Sequence, residues 1–417
     1  MAIANMTTYD AALKDNYGPG LRNALNNSNA VMALSERNDR DLLGRRDVWV
    51  VHTGRSNASG ARAESGTLPT ADRQRFTQVI DDLVFNYHTI KVTGPAKHLT
   101  RGDEGAFVRA LESELDGAER DLKNDRARQV FGQKLTDGSA LQTGVIGTLS
   151  ADPGTGTTLT LANEPESVMR HFQVGMYVQA VNPSSGAARS GGPYEITAIS
   201  ASARTLTIGS AADAAIGSTD YLVRSDSASG TIGNTGFGNE INGLRHLVSS
   251  SDTYAGIAPA SVPSWAAVAV GSSTTPISEV VLDQASEGVQ VDGNGDTPDL
   301  FITEFAQRRK LASILQAQKR YDGREVTLKA GWKGLEIAQG TLVADRYCPT
   351  TTAFALTTRE LVRFVGLDWT WDEDDGKVLF KALDGSDAVQ ARYKVYDNLE
   401  VTTRNCHAVI TLAAPTF

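Results

Sequence analysis

The chain has 417 residues, a mass of 44.5 kDa, a formal net charge of −9 and a pI near 5.3. This acidic balance argues against tight nucleic-acid binding, which normally needs a basic patch or a basic pI. No run approaches the ~18 apolar residues of a membrane span, and the first residues lack the basic and apolar regions of a signal peptide, so we expect a soluble protein made in the cytoplasm.

The first third of the chain predicts an arm followed by a hairpin. Residues 1–46 are expected to form an extended arm with one short helix. The run DVWVVHT, residues 47–53, is rich in β-branched and aromatic residues and predicts a strand. Residues 76–94 are strand-like for much of their length. The two runs together predict a long two-stranded hairpin with a wide tip.

The predicted tip, RSNASGARAESGTLPTADRQR at residues 55–75, is unusually polar. It holds one large apolar side chain, Leu68, against four arginines. Ordering such a segment costs conformational entropy that its own side chains cannot offset by burial. Long tips of this kind usually serve binding or another function, so we expect contacts from outside the hairpin.

Residues 103–132 give the best helix prediction of the chain. Its apolar residues recur at spacings of four and three and form a single stripe. Asp103 can cap the start, and Gly132 stands where a C-terminal glycine belongs. One stripe buries one face, so the helix should lie across a sheet with its other face in water. The stripe consists of Phe107, Leu111, Leu115, Ala118 and Leu122.

The composition changes after residue 144, where Gly, Ala, Ser and Thr dominate and charge is scarce. Short strand patterns recur between glycine-containing turns, as in a small barrel or sandwich. We predict an inserted all-β domain over residues 144–225. Its strand patterns read TLTLA, MYVQAV, YEITAIS, TLTIG and YLVRS.

The rest of the chain alternates helices and strands. Helices are predicted at 275–289, beginning at Thr275-Pro276, and at 304–320, with a buried strand PDLFIT between them. A strand pair is predicted to close the chain over residues 387–412. The sequence therefore predicts an α+β protein with three substructures and a long hairpin. Further strands are predicted at 341–348, 359–365 and 377–385.

Two acidic clusters are candidates for chemistry. DGNGDTPD, residues 292–299, resembles the beginning of a calcium loop, but Thr297 and Thr303 stand where glycine and glutamate are required, so a turn is favoured. WTWDEDDGK, residues 369–377, is better explained as an exposed hairpin turn than as an acid–base or metal site.

No catalytic motif is complete. The six histidines have no zinc-ligand spacing, and the nucleophile elbow, the phosphate-binding loop and the HExxH helix are absent. Cys348 and Cys406 lie far apart, so a disulfide framework is not indicated. We predict no catalytic residue, no metal site, no cofactor and no enzyme activity. The histidines are His52, His88, His98, His171, His246 and His407.

The motifs of the hairpin and helix resemble a known family. HTGRSNASGARAESGTLP, followed by VTGPAKHLTRGDEGAFVRALESEL, resembles the major capsid proteins of tailed bacteriophages, which have the Hong Kong 97 type of fold. EINGLRHLV, ITEFAQRRKLASIL, GLEIAQGTLVADRYCP and WTWDEDDG follow in the same order. The resemblance covers about residues 46–144 and 226–410, and the β-insertion falls outside it.

This resemblance implies a domain plan. Residues 1–46 would be the N-arm and 47–93 the extended loop. The helix at 103–131 would be the spine of a peripheral domain, packed through Phe107, Leu111, Leu115 and Leu122. That peripheral domain would comprise 94–143, 226–270 and 363–417, with the inserted domain at 144–225 and the axial domain at 271–362.

The resemblance also implies self-assembly. The chain would form the pentamers and hexamers of an icosahedral virion shell around double-stranded DNA, assembled in the host cytoplasm. Expected partners are a scaffolding protein, a portal and a decoration protein, with no specific DNA binding and no membrane. The extended loop would contact the neighbouring subunit through Arg55, Arg62, Glu64, Leu68, Asp72, Arg73 and Arg75.

One family feature is missing. Some relatives form a covalent Lys–Asn link through a lysine in the extended loop, but this chain has no lysine between Lys14 and Lys91. Two alternatives stay open. One is an encapsulin-like nanocompartment shell with the same architecture, and the other is a metal-dependent, β-rich hydrolase that uses the acidic clusters.

Overall fold

The computed structural model describes most of the chain. The arm at 1–30 and the predicted helix start at 103–109, with Phe107, lie outside the described residues, as does the side chain of Leu111. The described residues are 31, 35–38, 46–99, 110–132, 143–226, 231–293, 296–317, 325–327, 333–337, 340–373, 378–382 and 385–416.

The described residues contain five α-helices and twenty strands. None of these helices is long and apolar enough to cross a membrane. The α-helices are α1 Gly94–Leu99, α2 Ala110–Gln129, α3 Leu244–Leu247, α4 Glu279–Asp292 and α5 Phe305–Ala317. The strands are β1 Glu36–Asn38, β2 Arg46–Gly54, β3 Arg75–Asp82, β4 Val84–Thr93, β5 Val145–Thr148, β6 Thr158–Thr160, β7 Tyr177–Val181, β8 Tyr194–Ser200, β9 Thr205–Ile208, β10 Tyr221–Ser225, β11 Val268–Gly271, β12 Leu300–Thr303, β13 Glu325–Thr327, β14 Lys333–Ile337, β15 Gly340–Ala344, β16 Thr352–Leu356, β17 Leu361–Trp371, β18 Phe380–Lys381, β19 Ala388–Val401 and β20 Ala408–Thr411.

The chain divides into two compact units. The smaller comprises residues 1–27, 87–123 and 370–394, and the larger comprises 28–86, 124–369 and 395–417. In the smaller unit, Leu115 and Ala118 of α2 pack with Ile90 and Ala391. Two of the predicted stripe residues, Leu115 and Ala118, therefore face a strand layer as expected, and Leu122 is buried as well.

A seven-stranded sheet organises the larger unit, in the order β11-β20-β16-β12-β15-β14-β13. Strand β12 is buried on both faces: Leu300 and Ile302 point into one apolar cluster and Phe301 into the other. Such two-sided burial explains why the run Leu300, Phe301 and Ile302 is continuously apolar instead of alternating. The buried strand predicted at this point is confirmed.

Helix α4 covers one face of this sheet. It starts later than predicted, at Glu279, because the Ser278 side chain accepts a hydrogen bond from the Val281 amide and caps the helix. The helical pattern of the sequence at Ile277, Val280, Val281 and Ala285 predicts all four on the buried face. Val280 instead points outward and is exposed, and Ile277 is buried but precedes the helix.

Six strands over residues 145–225 form a closed barrel. Their order is β5-β10-β7-β8-β9-β6, and a bridge between Leu149 and Leu161 joins the first strand to the last. Closure leaves no free edge strand, and the interior is filled by apolar side chains that include Leu159, Tyr194 and Leu206. The strand patterns allowed a barrel or a sandwich, and the structure has the barrel.

Three polar contacts fix this barrel to the rest of the larger unit. Arg170 donates to Glu304 at 2.8 Å, the Thr350 amide donates to Glu164 at 2.7 Å, and Arg245 donates to the Pro165 carbonyl at 2.7 Å. Glu304 also accepts from the Ala306 amide in the first turn of α5. The barrel therefore contacts the residues at the start of α5 and is not held by a single linker alone.

Two sequence predictions about strand pairing are wrong. Residues 76–94 form two strands instead of one, because the chain leaves the hairpin at Leu83 and β4 pairs with β19 in another sheet. The two strands predicted to close the chain as a pair also separate. Strand β19 pairs with β17, whereas β20 joins β11 and β16. Strand-forming residues predict that a strand forms, but which strand it pairs with is determined by contacts with residues far away in the sequence.

Candidate assembly interface

The hairpin of β2 and β3 presents two different faces. The strands are antiparallel, with Val48 opposite Ile80 and Trp49 opposite Val79. On the inner face, Trp49, Val51 and Val79 pack against a core cluster that includes Tyr254. The Trp49 indole also donates to the Thr402 carbonyl at 3.3 Å. The inner face thus anchors the hairpin within the larger unit.

The outer face of the same hairpin is apolar and open. Its four large apolar side chains are between 42% and 64% exposed, and the His52 ring lies 5.2 Å from one of them, Phe76. Contiguous exposed apolar surface on a soluble protein usually marks an interaction site. We call this set the outer hairpin face: Val48, Val50, Phe76 and Ile80.

The tip beyond these strands is held only by local polar contacts. None of the side chains from 55 to 75 is buried. The Asn57 amide donates to Asp72 at 2.9 Å, and the Gly66 amide donates to the Ala63 carbonyl at 2.9 Å. The backbone bond from Asn57 is the main cause that lowers the pKa of Asp72. The tip has a defined shape without a core of its own.

The residues predicted to contact a neighbour all lie on this tip, and the side chains of all seven are exposed. Two of them also have internal roles. Asp72 accepts the amides of Asn57 and Arg73, and Arg62 donates to the carbonyls of Ala61 and Thr67. A contact role for the whole set, Arg55, Arg62, Glu64, Leu68, Asp72, Arg73 and Arg75, stays a prediction.

Polar side chains fix the base of the hairpin. The Asp81 carboxylate accepts hydrogen bonds from the Asn242 amide at 2.7 Å, the Tyr254 hydroxyl at 3.0 Å and the Asn398 amide at 3.1 Å. On the opposite face, Arg46 donates to Asp82 at 2.6 Å. Sequence reasoning missed this arrangement, because its partners are separated by more than 150 residues.

The described residues of the two acidic clusters take part in hydrogen bonds and ion pairs. Asp299 accepts the Thr358 amide at 2.8 Å, Asp296 pairs with Arg359, and Asp372 pairs with Lys394 at 2.6 Å. Residues 294–295 and 374–377 lie outside the described residues. Within the described part of the chain, no group of three or more His, Cys, Asp or Glu side chains is placed to hold a metal ion.

Three histidines in the described part of the chain are buried: His171, His246 and His407. Burial lowers the pKa of both His171 and His407 to about 3. His407 Nδ1 accepts the Thr357 amide at 3.2 Å, which assigns the ring proton to the other nitrogen. These rings are packed core groups.

Comparison with known proteins relates the chain to phage capsids. It is similar to the capsid asymmetric unit of cyanophage A-1(L), with 10% identity, a TM-score of 0.54 and coverage of 97% of this chain and 98% of that chain. Microbacterium phage Oxtober96 gives 12% identity, a TM-score of 0.48 and coverage of 98% and 99%.

The holo-SrpI encapsulin complex from Synechococcus elongatus PCC 7942 gives 9% identity, a TM-score of 0.45 and coverage of 100% and 98%. No family model matches the chain, and no curated protein sequence matches it. The likeness to the cyanophage capsid spans nearly the whole of both chains. The chain therefore has the fold of a phage capsid protein, the Hong Kong 97 type of fold that the sequence resemblance implies.

Proposed function

We propose that the chain is the major capsid protein of a tailed phage and has no enzyme activity. The observation that carries this proposal is the capsid fold, which extends over 97% of this chain and 98% of the cyanophage A-1(L) chain. Subunits would assemble into the hexamers and pentamers of an icosahedral head, located in the virion and assembled in the host cytoplasm.

The hairpin supplies a physical reason for assembly. Burying a Val, Ile or Phe side chain completely contributes about 1.5–3 kcal/mol, and the outer hairpin face offers four such side chains. A neighbouring subunit lying on this face would bury them, and the polar tip would set the register of the contact. The hairpin would gain from its neighbour the apolar contacts that a two-stranded ribbon lacks.

The remaining parts of the proposal follow the domain plan implied by the resemblance. Each part of that plan would contribute contacts to the assembled shell. The parts are the N-arm at 1–46, the extended loop at 47–93, the inserted domain at 144–225, the axial domain at 271–362 and the peripheral domain. A scaffolding protein, a portal and a decoration protein are proposed partners. The net charge of −9 suits a container that encloses double-stranded DNA without gripping it.

Electron microscopy of the purified full-length protein tests this function. We expect closed, uniform shells with fivefold vertices. Small monodisperse particles with bound metal would instead support the hydrolase alternative. If shells form, the neighbouring genes separate the two shell proteins: portal and terminase genes accompany a phage capsid protein, whereas a gene for a cargo enzyme accompanies an encapsulin-like shell.

Denaturing electrophoresis provides a separate prediction about how the shell is held. A Lys–Asn bond through the extended loop needs a lysine amine, and residues 15–90 contain none. Shells boiled in SDS are therefore expected to give a single band at the monomer mass of 44.5 kDa. A ladder of covalent multimers would show that another lysine forms the bond.

A further inference from the structure

Three carboxyl groups meet at the base of the hairpin. Asp47 on β2 lies directly opposite Asp81 on β3, although like charges at such positions repel each other. Glu400 on β19 is 1% exposed and lies two residues beyond Asn398, on the same face of the strand, and Asn398 donates to Asp81. A third carboxylate next to this pair adds to the repulsion unless one of the groups carries a proton.

No positive charge balances this group. None of the lysines and arginines in the described ranges forms an ion pair with Asp47, Asp81 or Glu400, and Glu400 Oε2 is buried without a hydrogen-bond partner there. Arg46 is committed to Asp82 on the other face. Arg404, which lies 5.8 Å from the Tyr254 ring, is occupied by the carbonyls of Leu247, Asp252 and His246.

The side-chain donors to Asp81 are neutral, and the nearest charged groups, Asp47 and Asp82, are both negative. The donors are the side-chain amides of Asn242 and Asn398 and the hydroxyl of Tyr254, together with the backbone amide of Asp82. Hydrogen bonds to these donors favour the charged carboxylate, whereas removal from water disfavours it. The site can therefore hold one carboxylate charge, whereas a second negative charge would lower the stability of the docked hairpin.

We propose that Asp81 and Glu400, next to Asp47, form a proton-controlled latch, which holds the hairpin base against the larger unit when protonated and loosens it as pH rises. The loosening itself is a property of the single chain. Only its consequence for assembly, a pH-dependent placement of the outer hairpin face, rests on the proposed capsid function.

The direction of the effect follows from proton linkage. Desolvation raises the pKa of Asp81 from 3.8 to about 7, and that of Glu400 from 4.5 to about 10. Both groups therefore bind protons more tightly when the hairpin is docked than when it is released. Raising the pH through these values favours release. Both groups contribute around neutrality, because each is deprotonated there when the hairpin is released but binds a proton when it is docked, Asp81 up to about pH 7 and Glu400 up to about pH 10.

Hydrogen–deuterium exchange on the full-length, unassembled protein tests the latch. The probes are peptides covering β2 and β3, and their protection factors are corrected for the intrinsic effect of pH on exchange. Between pH 6 and pH 8.5 we expect protection of the hairpin to fall by at least about tenfold, because Asp81 alone contributes about tenfold with these docked and released pKa values and Glu400 adds to it. Protection that stays constant after correction would overturn the proposal.

Variants assign the effect to the two carboxyl groups. In Asp81→Asn the fall should be about tenfold smaller, and in Glu400→Gln, which mimics the protonated group, a fall of about tenfold should remain. A fall that neither substitution reduces would overturn the assignment. If Asp81→Asn does not fold, Tyr254→Phe decides, because removing a donor to the carboxylate should move the transition to higher pH, and an unmoved midpoint would contradict the latch.

Shell formation at pH 6 is scored separately by electron microscopy. Absence of shells at pH 6 would count against the capsid function while leaving the exchange result intact. Shells together with pH-independent hairpin exchange would count against the latch alone.

Discussion

Val50→Asp is expected to abolish shell assembly while leaving the isolated subunit folded. Val50 is 64% exposed on the outer hairpin face, so the carboxylate stays hydrated in the free subunit and stability should change by about 0.5 kcal/mol or less. At an interface the same charge is removed from water without a partner, which costs several kcal/mol per subunit. Electron microscopy and sedimentation measure assembly, and urea unfolding measures stability.

Val174→Asp is the matched control for this prediction. Val174 is 65% exposed in the barrel, between β6 and β7, and therefore has the same residue type and exposure at a different place. We expect Val174→Asp to assemble like the unaltered protein. Equal loss of assembly in both variants would mean that added charge in general blocks the shell, and normal shells from Val50→Asp would remove the outer hairpin face from the interface.

The hairpin shows what the sequence could and could not predict. The run DVWVVHT predicted β2 correctly, because β-branched and aromatic residues fit a pleated strand. The same run is apolar at successive positions, so its pattern does not distinguish Val48 and Val50 from Trp49 and Val51. Only the packing of Trp49 and Val51 against the core identifies which face remains open.

The barrel illustrates a second limit. Its strands were predicted from short apolar runs between glycine turns, yet closure depends on the Leu149–Leu161 bridge. Whether that bridge forms depends on the register between the first and last strands, which is set by three-dimensional packing. Barrels and sandwiches share the same local strand pattern, so the sequence does not distinguish them. The domain boundaries drawn around it, 144 and 225, stay predictions.

The tip residues mark a third limit. Composition placed Arg62 and Asp72 in an exposed segment, and both are exposed. Composition could not show that these two side chains also bind neighbouring backbone within the tip. The three side-chain hydrogen bonds that Asp81 accepts likewise have no local signal, because Asn242, Tyr254 and Asn398 come from distant parts of the chain.

Buried charge escaped the sequence analysis entirely. The helix pattern gave α2 its apolar stripe, but Arg126 near its C-terminal end is fully buried. An arginine at the C-terminal end of a helix is normally solvated and interacts favourably with the helix dipole. Its burial is possible only because Asp397 on β19 lies opposite, 271 positions away in the chain.

Asp397→Ala is expected to be the most destabilising single change in the larger unit. Asp397 is fully buried and accepts hydrogen bonds from Arg126 at 2.5 Å and from Arg363 at 2.7 Å. Removing it leaves the buried Arg126 guanidinium, whose pKa burial already lowers, without a counter-charge. Breaking such a pair costs about 3–5 kcal/mol, measured as the loss in free energy of unfolding in urea.

Glu119→Ala provides the comparison, because it breaks an ion pair on the same helix in an exposed position. The Glu119 and Lys123 side chains are 40% and 47% exposed, and an i,i+4 pair in water contributes about 0.3–0.5 kcal/mol. Both variants remove one partner of an ion pair, so the difference between their losses in free energy of unfolding measures the effect of burial. If Asp397→Ala cost no more than Glu119→Ala, water would have to reach Arg126 in the folded chain, and the buried pair would not hold α2 against β19.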